Sequence, residues 1–116
     1  MKLAVELGHE RVPPGVALTG HVLVVEGGEA RSLALTVRFL ECSPAFRVPA
    51  LEERAVLREG DLATGESVPF SIGLPDGAPP TARGRRCELL WELEVVADRS
   101  GPDAVVRRAF EVALDA

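Results

Sequence analysis

The chain has 116 residues, 47% of them hydrophobic and 27% charged, with a formal net charge of -5 and a pI near 5.0. That is enough chain for one domain that buries a core without disulfide or metal, and the acidic balance argues against nucleic acid as a partner. No apolar run approaches the roughly 18 residues of a membrane span, and residues 1–6 lack the apolar core and cleavage site of a signal peptide. The expectation is a single cytoplasmic domain over residues 1–116 with Cys42 and Cys87 as free thiols.

Residues 2–7 alternate, with Leu3, Val5 and Leu7 on one side, and predict a first strand. Arg11-Val12-Pro13-Pro14-Gly15 breaks the chain. A strand follows over 16–25 with Val16, Leu18, Gly20, Val22 and Val24 inward, ending at the turn Glu26-Gly27-Gly28-Glu29. Residues 31–42 form the next, with Leu33, Leu35, Val37 and Phe39 inward and Thr36 and Arg38 on the wetter side. Two prolines make 43–49 a loop. Residues 51–59 contain good helix formers, yet Leu51, Ala55 and Leu57 suit a strand among strands, with Glu53 as the misfit. Residues 66–74 place Val68, Phe70, Ile72 and Leu74 inward, and Pro69 on the other parity implies a sheet edge or a bulge. Residues 75–85 are a long proline-containing connection.

The stretch 87–97 carries the only Trp and alternates over its whole length, so it is taken as the central strand. After the polar turn 98–103, residues 104–114 close the chain with Val106, Phe110, Val112 and Leu114 inward. Pairing Ala97 with Ala104 sets Val95 opposite Val106, Trp91 opposite Phe110, Leu89 opposite Val112 and Glu94 opposite Arg107. Arg108 then falls inward, which requires a bulge, a place at the sandwich rim or a buried carboxylate. Seven strands with turn punctuation and no helix predict an all-β, two-sheet antiparallel sandwich of immunoglobulin-like type, with a closed barrel as the alternative.

The order of motifs resembles arrestin-like domains, of the kind found in arrestins and bacterial sporulation-control proteins. The resemblance runs through Pro14-Gly15-x-x-Leu18-x-Gly20-x-Val22-x-Val24, then Leu33-x-Leu35-x-Val37-x-Phe39. It continues in Phe70-Ser71-Ile72-Gly73-Leu74-Pro75, Pro79-Pro80-Thr81, Gly84 and Leu90-Trp91-Glu92-Leu93. It implies a non-enzymatic domain that binds another protein. Members of the family generally carry two such sandwiches, and this chain has the length of one.

The residues that could carry chemistry are few. His9 and His21 lie in a turn and on an outward position, without the convergent partners a metal or a His-based catalyst needs. Ser67, Ser71 and Ser100 lack a nucleophile-elbow context. Cys42 and Cys87 have opposite parities, so a bridge between them would need a bulge. Asp98, Ser100 and Asp103 match no calcium-loop spacing and suit an ordinary polar turn. No catalytic, metal or cofactor site is expected. The basic run Arg83-Gly84-Arg85-Arg86 reads either as a solvated loop or as a contact for an anionic partner, through Arg83, Arg85 and Arg86. The expected function is that of an adaptor or scaffold, whose open sheet edges can accept a partner strand. The alternative is a small-molecule or carbohydrate-binding module, for which Phe46 is the one aromatic off the inward parity.

Overall fold

The computed structural model describes residues 1–74, 77–84 and 87–115. Nine strands are found among them: β1 (Lys2–Leu7), β2 (Arg11–Val12), β3 (Ala17–Glu26), β4 (Ser32–Cys42), β5 (Arg47–Glu59), β6 (Ser67–Gly73), β7 (Ala82–Arg83), β8 (Glu88–Asp98) and β9 (Ala104–Val112). They form a three-stranded sheet in the order β1-β3-β6 and a six-stranded sheet in the order β2-β9-β8-β4-β5, with β7 on β8. No helix occurs among the described residues. The sandwich expected from the alternation is the fold, and the sheets are not closed into a barrel.

The alternation dictates the core. Leu33, Leu35, Val37 and Phe39 of β4 meet Leu93, Val95 and Trp91 of β8 on one side of the sheet, facing Leu18, Val22 and Val24 of β3, and all are buried. β8 lies inside the large sheet between β4 and β9, and Trp91 is 2% exposed between Phe39 and Phe110, at ring-centroid distances of 5.2 and 5.8 Å. Its indole N–H donates to the carbonyl of Pro79 at 2.8 Å. The proline-containing connection therefore covers the Trp91 end of the core, where Ala78 is also buried.

The β8–β9 register is the one read from the sequence as far as Trp91↔Phe110, including Glu94↔Arg107. Beyond it the expectation fails. Leu89 pairs with Ala82 of β7, because β9 leaves β8 after Phe110 and runs beside β2 in parallel, with Val112 paired to Val12. Leu114 lies past the end of β9 and is exposed, and Val16 lies before β3 and is likewise exposed. Arg108 keeps its inward parity without a bulge. It lies at the rim, where its guanidinium donates to the Val5 carbonyl at 3.0 Å and pairs with the exposed Glu10, linking the two sheets.

Two two-residue strands, β2 and β7, escaped the sequence reading because two residues carry no periodicity. The two prolines of 43–49 predict a loop, whereas β5 begins at Arg47 and runs through Pro49. An edge strand tolerates a proline where a central one does not. Pro69 likewise lies on β6, the edge of the small sheet.

Candidate partner-binding surface

A sandwich can offer a partner its sheet faces or its sheet edges, and the charges differ sharply between them here. On the outer face of the large sheet, Arg38 pairs with Glu52 at 2.9 Å and Glu94 at 3.0 Å. Arg107 pairs with Glu94 at 2.8 Å, and Arg47 with Glu92 at 3.0 Å. A longer contact from Arg107 to Glu92 joins these into one chain of alternating charge. Burial opposes the charge on Arg38, but its hydrogen bonds to Glu94 and Glu52 outweigh it and raise its pKa. Beside this network the register lines up Val105, Val96, Ala34 and Val56, of which Val105 and Val56 are exposed.

The edges are unequal. β1 has its Val5 carbonyl occupied by Arg108 and a register shift at Lys2/Leu3. Just before β6 the Glu66 carbonyl accepts from Val24 N–H, so even-numbered residues of β6 face β3 and the odd-numbered Pro69 faces the free edge, where it removes a donor. β2 and β7 have two residues each. Because β2 covers β9 only at Glu111 and Val112, β9 is itself an edge over residues 104–110, shorter than β5 and joined midway to β1 through Arg108. β5 is the long edge, with 13 residues. Two bulges bracket its middle: Ala50 is the extra residue between the pairs Phe39↔Leu51 and Leu40↔Pro49, and Leu57 the extra one between Leu33↔Arg58 and Ala34↔Val56.

β5 is also the strand the core covers least. Its core-facing residues are Val48, Leu51, Glu53 and Ala55, by their pairing with Glu41, Phe39, Val37 and Leu35. Ala55 and the bulged Leu57 pack partly against the core, and Arg58 pairs with Glu66 at the start of β6, closing that end. Toward the β4–β5 turn the closure is lost. Val48 and Leu51 are each 44% exposed and Phe46 at the turn is 58% exposed. Glu53 and Glu41, on the same face, form no ion pair with any described residue, and neither does Arg54 on the opposite face. Glu53, the misfit of the sequence reading, thus marks the place where the inward face of β5 meets solvent.

Of the residues expected to contact an anion, Arg83 is in β7, exposed, and lines an open cleft of about 350 Å3 with Glu10, Arg11, Leu90 and Glu111. Arg11 in that cleft is already paired with Glu111 and Asp115. Arg85 and Arg86 lie outside the described residues. His9 and His21 are exposed, and the described residues include no group of three or more His, Cys, Asp or Glu arranged to hold a metal. Asp98 is held by Arg31 through two hydrogen bonds, which lower the pKa of its carboxyl, and Asp103 accepts from the Arg99 backbone N–H. Both cysteines are free thiols: Cys42 lies opposite Glu88, one residue out of step with Cys87.

No protein-family model matches this sequence, and no curated protein matches it. Among solved structures, it is similar to the crystal structure of Spo0M, a sporulation control protein from Bacillus subtilis, with a TM-score of 0.60 at 18% identity. The likeness covers 96% of this chain and 48% of that one, so the chain spans about half the length of the structure it matches. At that identity the likeness speaks for the fold, and the fold is the arrestin-like β-sandwich that the order of motifs implies.

Proposed function

We propose that this chain is a non-enzymatic adaptor or scaffold domain of the cytoplasm that binds another protein through an exposed sheet edge. The observation that carries this reading is β5: a long edge strand with exposed apolar residues on its core-facing side and charges that form no ion pair among the described residues. Edge strands expose a row of unpaired backbone groups and are ordinarily blunted. In this molecule β1 and β6 are blunted and β5 retains a regular stretch between its bulges. The arrestin-like fold agrees with an interaction role. The alternative reading, a small-molecule or carbohydrate module, rests on the single exposed aromatic Phe46.

The test is in-cell cross-linking from a photoreactive side chain placed at Leu51, with Val105 on the opposite sheet face as the control position. A defined protein captured from position 51 and not from 105 is the expected result. Capture of no protein from either position, or turnover of a substrate by the purified chain, overturns the reading.

A further inference from the structure

We infer that the stretch of β5 between its bulges, Leu51 to Val56, takes an added antiparallel strand from a different protein. That strand carries an apolar residue opposite Leu51, a basic one opposite Glu53 and, next to it, an acidic one opposite Arg54. This rests on the strand-binding reading above and adds which edge is used and what chemistry it selects. Directly opposed side chains on neighbouring strands interact, and opposite charges there are favourable where like charges are not. Glu53 and Arg54 lie on opposite faces and are unpaired among the described residues, whereas Glu52 between Leu51 and Glu53 is already held by Arg38. The edge therefore presents an apolar position and two charges of opposite sign in a fixed order.

Charge complementarity also decides against a second copy of this chain. Antiparallel self-pairing about a twofold axis sets the central residue opposite itself. An axis at Glu52, Glu53 or Arg54 opposes like charges, and an axis at Leu51 sets Glu53 against Pro49, with no cation. An axis at Ala55 sets Glu53 against the bulged Leu57. No twofold register centred between Leu51 and Ala55 satisfies Glu53, whereas a foreign strand with a lysine at that place does.

The experiment uses the whole isotope-labelled chain and two capped synthetic peptides at millimolar concentration, followed by amide chemical shifts. The matched peptide is Val-Ile-Glu-Lys-Thr-Val and the charge-exchanged control is Val-Ile-Lys-Glu-Thr-Val. The matched peptide is expected to shift the amides of residues 51–56 and to bind about tenfold tighter than the control. The double variant Glu53→Lys, Arg54→Glu, both at exposed positions, is expected to reverse that preference. Equal binding of both peptides, or a preference the double variant leaves unchanged, overturns the assigned chemistry. Shifts confined to β1 or β6 overturn the choice of edge and leave the strand-binding reading standing. Concentration-dependent shifts on β5 without peptide point to a second copy and overturn the inference, as does the absence of any shift. The cross-linking experiment decides the wider reading independently.

Discussion

Two residues fix the core in different ways. Trp91 fills the space between Phe39 and Phe110 and at the same time anchors the 77–81 connection through its bond to Pro79. Trp91→Ala is expected to cost about 3–5 kcal/mol, a large share of the roughly 5–15 kcal/mol that holds a domain together. Chemical denaturation measures it, and a midpoint close to the parent's refutes it. Gly20 acts by absence. A Cβ there would run into the Glu6 carbonyl of β1 and lie 2.8 Å from Phe70 Cζ. Since the obstacle includes backbone, Gly20→Ala is expected to destabilise by about 1–3 kcal/mol, the usual cost of overpacking. A Gly20→Ala variant with the parent's stability would show that β1 yields.

At the scale of elements, one ion pair reinforces the end of a hydrogen-bond ladder and another ties the two sheets together. Arg31, just before β4, holds Asp98 at the end of β8, and Arg58 of β5 holds Glu66 before β6. Each arginine lowers the pKa of its carboxyl. A carboxylate depressed in the folded state contributes stability above its unfolded pKa, about 4, and loses it as the pH falls through the lowered folded value. Stability is therefore expected to be level from about pH 7 down to about pH 5 and to decline below about pH 4. In Arg31→Ala the acid slope becomes shallower, read from the melting temperature across that range, and an unchanged slope contradicts the assignment. Arg83 is the contrasting case. It is exposed and without an ion pair among the described residues, so Arg83→Ala is expected to leave the stability within about 0.5 kcal/mol of the parent's by chemical denaturation.

For the molecule as a whole, one core cluster draws on both sheets, from Leu3 of β1 to Val112 of β9. The chain is accordingly expected to unfold in one cooperative step, with an enthalpy of about 80 kcal/mol near 60 °C from the usual value per residue. A calorimetric enthalpy well above the van't Hoff value would show separate units. Far-UV circular dichroism is expected to show strand signal and little helix, and a helical content of about a quarter would contradict the fold.

The sequence by itself determined the strands that alternate for long enough to be heard. The inward residues of β3 (Leu18 to Val24), β4 (Leu33 to Phe39) and β8 (Leu89 to Ala97) recur at every second position. A one-residue slip would have buried Glu94 or exposed Trp91, so the register of β8 with β9 followed from the pattern as far as Trp91 and Phe110, despite the inward Arg108. Pro69 left an edge or a bulge open, because a proline cannot serve a central ladder, and the place of β6 at the end of the small sheet decided for the edge. The tertiary structure decided what no local pattern encodes. Whether the inward face of β5 is covered depends on where the small sheet ends, and that depends on β6 being its last strand. Alternation specifies a face, not the presence of a neighbour above it. Glu53 was the one signal of an open face, and it is ambiguous until the other sheet is in place. Arg108 has the same ambiguity and the opposite outcome: the sequence demanded a remedy for an inward charge, and only the approach of β1 to β9 supplied the Val5 carbonyl, and the docking of the segment before β2 on β9 supplied Glu10. The parallel pairing of β2 with β9 was likewise invisible, since two residues acquire strand geometry only from the strand beside them.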